Sequence, residues 1–258
     1  MDIKILVAAH KPYWMPDDDV YLPIQVGAAG KENLGWQRDD EGDNISEKNP
    51  NYCELTALYW AWKNLDADYI GLCHYRRYFI HRSLWDRMKP RKDRIYHKKD
   101  YEKLLQKYDI ILPTRGKVKL NGKVVTLYTQ YIYSHHKLVL EKTEKVLEQL
   151  FPEYKDPFSY TMAKDHTRVC NMFLMKGRLF HEYCTWLFSI LFRVEKEMDD
   201  LGYADKLPRE YGFLSERLFN VWIAGQNCRK CEIPIKNIEE IDIPWWRNIM
   251  YRITTGNK

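Results

Sequence analysis

Tyr69-Ile70-Gly71-Leu72-Cys73-His74-Tyr75-Arg76-Arg77-Tyr78-Phe79 opens as an apolar run and ends in a histidine and two arginines. The apolar half reads as a strand buried on both faces. Ligands of open α/β sheets sit beyond the carboxyl ends of such strands. Arginine suits phosphate there because its planar fork donates two hydrogen bonds at once. Taken alone, the stretch fits equally well with arginines that pair with nearby acids or face water. The flanking segments decide between the two.

Upstream, Ile3-Lys4-Ile5-Leu6-Val7-Ala8-Ala9 is short and β-branched, a first buried strand that stops at His10-Lys11-Pro12, since proline cannot continue a ladder. Lys11 is placed to meet a phosphate or solvent. Tyr21 to Ala28 gives a second strand ending in Gly27, and residues 31–48 read as a long, mobile polar loop in which Asn44 and Ser46 are candidate ligand contacts. Asn49-Pro50 starts a helix, with Asn as N-cap, Pro at the first position and Glu54 in the first turn. Leu55, Leu58, Tyr59 and Trp62 mark its apolar face. Strand, strand, helix, strand is the start of a wound, mainly parallel sheet.

Downstream, residues 80–99 are strongly basic, a solvated loop or a lid facing phosphate or a membrane. Asp109 to Pro113 reads as another strand, and Leu120-Asn121-Gly122-Lys123 as a type I′ hairpin. Leu127 to Leu150 reads as helices with His135-His136 between them; adjacent histidines do not share a helix face, so they make a poor metal pair. Val169 to Met175 reads as an apolar strand preceded by Lys164-Asp165-His166, and Asn171 inside it needs partners, a sugar hydroxyl among them. Helices follow over 180–198 and from Tyr211, the second carrying Glu216 in its first turn. The tail 233–251 ends in Trp245-Trp246-Arg247 and wraps the domain or rests on a bilayer.

A chain of 258 residues suffices for one domain with a sizeable core. Its net charge of +5 is below that of a dedicated nucleic-acid binder and fits anionic small ligands or an acidic membrane surface. Six scattered cysteines, including a lone Cys228-Arg-Lys-Cys231, read as reduced thiols of a cytoplasmic protein. No signal peptide or run of membrane-spanning length is visible. The absence of a P-loop and of GxGxxG counts against an NTPase and a dinucleotide dehydrogenase; GxSxG and HExxH are also absent.

Taken together, several segments resemble one family. They are His10-Lys11-Pro12, Pro23 to Ala28, Gly42 to Ser46, Asn49 to Thr56 and Gly71 to Phe79, with Asn171-Met172-Phe173 and Gly212 to Arg217 as later blocks. The family is the bacterial capsule and exopolysaccharide glycosyltransferases long known only as a domain of unknown function. The resemblance implies a GT-A-like α/β fold: a mixed, mainly parallel sheet flanked by helices, in one domain over 1–258. Residues 1–115 form the nucleotide-sugar side, and 116–258 the acceptor side and tail. It implies a UDP-sugar donor and a saccharide acceptor, lipid-linked, with peripheral contact to the inner membrane face and no nucleic acid. Galactosyl and galactofuranosyl transfer are associated with the family, which leaves this chain's sugar open. Donor contacts fall on His10, Lys11, Val26, Gly27, Asn44, Ser46, Tyr52, His74, Arg76 and Arg77, and acceptor contacts on Asn171 and His166. Catalytic candidates are Glu216, Asp165 and His74, Glu216 leading as base. Where many GT-A enzymes hold a divalent metal, Mn or Mg, on Asp-x-Asp, this chain has His74-Tyr75-Arg76, so no metal site is assigned. Arg76 and Arg77 are expected to neutralise the diphosphate instead, with Asp39, Asp40 and Asp43 as the fallback if a metal is required. The alternatives are a nucleotidyl- or phosphotransferase on the same arginines, and a non-catalytic sugar-nucleotide or carbohydrate-binding subunit.

Overall fold

The computed structural model describes residues 1–240 apart from Asp205 and the side chain of Arg87. Trp245-Trp246-Arg247 and the wrapping expected of the tail lie outside the described residues. The chain runs β1 (Ile3–Ala9), β2 (Tyr21–Gln25), β3 (Gln37–Arg38), α1 (Asn49–Tyr52), α2 (Leu55–Asn64), β4 (Tyr69–His74), β5 (Arg77–Phe79), α3 (Lys98–Leu105), β6 (Ile110–Pro113), β7 (Gly116–Lys117), β8 (Lys119–Leu120), β9 (Lys123–Val124), α4 (Leu127–Ser134), α5 (Lys137–Leu150), α6 (Lys155–Met162), β10 (His166–Thr167), β11 (Phe173–Lys176), α7 (Gly177–Asp200), α8 (Glu210–Gly225), β12 (Lys230–Ile233) and β13 (Ile235–Asn237).

The main sheet has the order β12-β6-β11-β4-β1-β2-β3, with β5 and β13 paired off this path. Strands β4, β1, β2 and β3 are parallel, and β11 is the antiparallel member inserted between β4 and β6. The sheet is mixed and mainly parallel, as expected. Because side chains alternate across a strand, β1 feeds two cores. Leu6 and Ala8 face one formed with α2, α5, α7 and α8. Ile3, Ile5 and Val7 face another with Tyr21, Tyr78 and Tyr101. Leu6 and Ile5 are fully buried, each worth roughly 1.5–3 kcal/mol of transfer free energy. The 24-residue α7 is the main brace of the first core; its Phe188 ring stacks on Trp62 of α2 with centroids 5.7 Å apart. No helix among the described residues is long and apolar enough to cross a membrane.

Four local expectations are corrected. The helix begun at Asn49-Pro50 breaks at Cys53, whose φ of 53° and ψ of −128° are not helical. Asn49 is the first helical residue, with Lys48 as N-cap; its amide closes the break by donating to the Cys53 carbonyl at 2.8 Å and to Thr56 Oγ1 at 3.3 Å. The strand expected from Val169 begins only at Phe173, because Cys170 and Asn171 have φ of 72° and 48°, and two left-handed residues in a row turn the chain. Helix α8 begins at Glu210, so Glu216 lies in its second turn and Glu210 occupies the first. The 31–48 loop is tied down: buried Asp39 accepts from the amides of Gly27 at 2.7 Å and Ala28 at 2.9 Å and from Ser46 Oγ at 2.5 Å. The Asn121-Gly122 turn does join β8 to β9, with φ of 49° and 78° as a type I′ hairpin requires.

Candidate active site

The carboxyl ends of β1, β2 and β4 converge on a cavity of about 480 Å³. His10 and Val26 reach it from the first two strands, and His74, Arg76 and Arg77 from the third. His74 and Arg77 are partners across a two-residue turn, so the anchor stretch is a hairpin whose tip is Tyr75-Arg76. The opposite wall is the start of α8, with Arg209, Gly212, Phe213 and Glu216. Gly212 permits this approach, since a Cβ there would meet Cys53 Sγ at 3.1 Å and Cβ at 3.2 Å.

Arg77 and Arg209 form no ion pair among the described residues. Arg209 sits in the left-handed region at the N-cap of α8, its amide bonded to the Pro50 carbonyl at 2.8 Å and its guanidinium 5.0 Å from the Phe213 ring centroid. Arg76 differs from both. Its Nη1 lies 3.0 Å from Glu239 Oε2, with both side chains about two-fifths exposed. Such a pair is worth little to stability, yet it offsets the charge that Arg76 would bring to a ligand. Of the two arginines expected to neutralise a diphosphate, Arg76 therefore carries an acid partner and Arg77 does not, and Arg209 lines the same cavity. His10 is held below the ordinary imidazole value by partial burial and then by Lys11, Lys31 and Arg76.

A smaller cavity of about 360 Å³ adjoins this one and shares Phe213 and Glu216 with it. Lys117, Gln130, His135 and Arg217 also line it. Glu216 therefore stands where the two spaces meet. Its Oε1 accepts from the Cys170 amide at 3.0 Å, and its Oε2 is 3.4 Å from Arg217 Nη1. Desolvation raises its pKa above the ordinary carboxylate value, with the Glu54 charge adding to the rise and Arg217 opposing it. The Cys170 carbonyl in turn lies 2.7 Å from His74 Nε2. A carbonyl only accepts, so Nε2 carries the proton and Nδ1 is the free acceptor when the ring is neutral. One peptide turn thus orients both Glu216 and His74. The same residue's thiol is pushed up to about 12 by burial and carries no nucleophilic thiolate at neutral pH.

Asn171 props this turn from below. It is 2% exposed, and its amide nitrogen donates to Glu54 Oε1 at 2.8 Å, Ser215 Oγ at 2.7 Å and the Gly212 carbonyl at 3.3 Å. Of the five non-glycine residues with positive φ among the described residues, Cys53, Cys170 and Arg209 line the larger cavity and Asn171 supports it. Backbone strain of this kind concentrates at functional sites.

The remaining sequence candidates fall elsewhere. Tyr52 is fully buried against Tyr211. Asn44 and Ser46 hold their own loop, Asn44 Nδ2 donating to the carbonyls of Asp40 and Gly42. Gly27 and Ser46 line a further cavity of about 370 Å³ that shares Asn49 and Pro50 with the larger one, and Lys11 lines neither. Asp165 is partly exposed and bonded to Lys117 Nζ at 2.7 Å and His166 Nδ1 at 2.9 Å, which lower its pKa to about 2. His166 faces a separate cavity beside Arg168 and Tyr160. Sequence reasoning missed Glu54 and Arg209. The break at Cys53 that turns Glu54 inward has no sequence signature. Arg209 had one: a cation after Pro208 stands where an Asn, Asp, Ser or Thr cap is usual.

For a divalent metal, the residues fit poorly. Asp39 is filled by its own loop, Asp40 is paired with Arg38 at 2.6 Å, and Asp43 Oδ1 accepts from Tyr59 at 3.2 Å. Among the described residues, no group of three or more His, Cys, Asp or Glu is arranged to hold a metal ion.

A cleft at the carboxyl ends of a mainly parallel sheet is where open α/β folds bind their ligands, and this fold is shared with a glycosyltransferase of solved structure. Residues 4–227 match the sequence profile described as Domain of unknown function (DUF4422), and the chain belongs to that family. It is similar to a solved apo structure of WbbM, a bifunctional glycosyltransferase, at 29% identity and a TM-score of 0.81. That match covers 93% of this chain and 46% of the other, so the chain spans about half the length of WbbM. No curated protein matches.

Proposed function

We propose that the protein is a glycosyltransferase that takes a UDP-sugar in the larger cavity and a saccharide acceptor in the smaller, in assembly of a capsular, exopolysaccharide or lipopolysaccharide chain. The sugar that the family resemblance favours is galactose, as pyranose or furanose. The observation that carries this reading is the carboxylate with a raised pKa at the junction of two cavities, facing two arginines that have no ion pair among the described residues. In an inverting transfer, the acceptor oxygen forms a bond to the anomeric carbon as the bond to the diphosphate breaks. The hydroxyl proton passes to Glu216, whose raised basicity suits the step at neutral pH. The leaving UDP gains negative charge beside Arg77 and Arg209, where fixed cations stabilise the transition state more than the ground state. His74, bonded through Nε2 to the Cys170 carbonyl, and His10, whose pKa is lowered, stand at the same rim as hydrogen-bonding groups.

The test is turnover by the full chain of UDP-galactose, UDP-galactofuranose and UDP-glucose, with plain NTPs alongside. UDP release from a UDP-sugar with NTPs untouched is expected. NTP turnover with the sugars untouched would point to a nucleotidyl- or phosphotransferase. Stabilisation by a UDP-sugar without turnover would point to a binding subunit.

A further inference from the structure

The positive charge of this chain is concentrated. Residues 82–99 hold eight Lys or Arg and two Asp, a net of +6; the whole chain carries +5, so the other 240 residues sum to −1. The same segment carries Leu84, Trp85 and Met88 at 79%, 79% and 80% exposure, and no other large apolar side chain among the described residues exceeds 66%. The three are grouped on one short turn. Ser83 and Asp86 close it, the Ser83 amide donating to Asp86 Oδ2 at 3.1 Å and the Asp86 amide to Ser83 Oγ at 3.1 Å. Its base is pinned to the fold: the His81 amide donates to the Arg94 carbonyl at 2.8 Å, Ile80 bridges Ile95, and buried Arg91 bonds the Asn237 carbonyl and Glu240. The loop is thus a projecting apolar knuckle on an ordered stem. Arg82, Lys89, Lys92 and Lys99 are exposed on the same segment, Lys89 Nζ lies 3.8 Å from Asp86 Oδ1, and Lys92 Nζ lies 4.6 Å from the centroid of the half-exposed Trp14 ring.

An exposed Leu-Trp-Met cluster gains nothing in water, and the basic collar rules against a cationic or apolar-rimmed partner. Both features fit the interface of an anionic bilayer, where Trp sits at headgroup level and basic side chains meet lipid phosphates. We propose that this knuckle docks the protein on an anionic lipid surface, Leu84, Trp85 and Met88 entering the headgroup region and Arg82, Lys89, Lys92 and Lys99 contacting the headgroups. Ser83 is six positions beyond Arg77 of the cleft, at most about 20 Å of extended chain. Docking therefore brings the mouth of the cleft close to the membrane. The docking does not depend on the transferase reading; if that reading holds, it places the cleft next to an acceptor held at the surface.

The experiment is sedimentation of the full chain with phosphatidylcholine vesicles, with and without 30 mol% phosphatidylglycerol, at low and high salt. The wild type is expected to bind only the anionic vesicles and to release in salt. Replacing Lys89 and Lys92 by Ala should weaken binding about fivefold per residue. The triple variant Leu84→Ser, Trp85→Ser, Met88→Ser should bind at least about tenfold more weakly, with thermal melting and UDP-sugar turnover in solution unchanged because all three side chains are exposed. No binding of the wild type to anionic vesicles would overturn the proposal, as would wild-type binding by the triple variant. A shift from dimer to monomer in the triple variant, without vesicle binding by the wild type, would assign the knuckle to a second copy and overturn it too.

Discussion

Two carboxylates, both expected near the chemistry, end in opposite conditions. Asp165 is partly exposed beside the β7–β10 pair, held by Lys117 and His166, and its pKa falls to about 2. Glu216 lies at the junction of two cavities, held by one backbone amide and a long contact to Arg217, and its pKa rises. The difference comes from solvent and partners: water, the Lys117 ammonium and a hydrogen bond from His166 stabilise one negative charge, while burial and a neighbouring Glu54 destabilise the other. A stabilised carboxylate is a poor proton acceptor at neutral pH, and a destabilised one is a good one. The arginines repeat the contrast. Arg76 is at the rim with Glu239, whereas Arg77 and Arg209 face the cavity with no acid partner among the described residues.

The sharpest way to break the first comparison is to remove each carboxylate in turn. Glu216→Gln should lower kcat about 10²- to 10⁴-fold, the usual worth of a positioned base. Asp165→Asn should leave it within about twofold. Equal losses would erase the distinction. For the arginines, UDP binding by calorimetry is the measure. Arg77→Ala and Arg209→Ala should each weaken it about 10- to 100-fold, as for lost charge-assisted hydrogen bonds. Arg76→Ala should cost less than about fivefold. Full activity in EDTA would strengthen the assignment of diphosphate neutralisation to these arginines, and strict dependence on manganese would contradict it.

Smaller effects report on the support beneath the cleft. Asn171→Ala removes three hydrogen bonds and places an alanine at φ 48°, at a cost of about 2–4 kcal/mol by denaturant unfolding. Asn171→Gly, which accepts that φ, should recover part of the loss in stability but not in turnover. The smallest effect is a gain. The raised pKa of Glu216 means that its ionised form costs folded-state stability above that pKa, a cost that vanishes below its ordinary value of 4.5. Glu216→Gln should therefore melt higher than wild type at pH 7, the difference shrinking to nothing as the pH falls below about 4.5.

Much of the sheet was legible because it is written locally. Ile3–Ala9 and Tyr69–His74 are apolar runs with polar stops, and the Asn121-Gly122 turn has residues that accept its φ values. The hairpin arginines were legible for the same reason. What was not legible depends on contacts far apart in sequence. Glu54 reaches the cleft only because Cys53 breaks a helix, and Asn171 serves as a prop because Glu54, Gly212 and Ser215 fold around it. Arg76 and Arg77 look alike as neighbours; only Glu239, more than 160 residues away, separates them.

The most direct measurement is the pH dependence of kcat/KM for wild type, Glu216→Gln and Asp165→Asn on one UDP-sugar. An acid limb above the ordinary carboxylate range, retained in Asp165→Asn and absent from the residual activity of Glu216→Gln, is the predicted result. A limb that persists unchanged in Glu216→Gln would mean that the proton goes elsewhere.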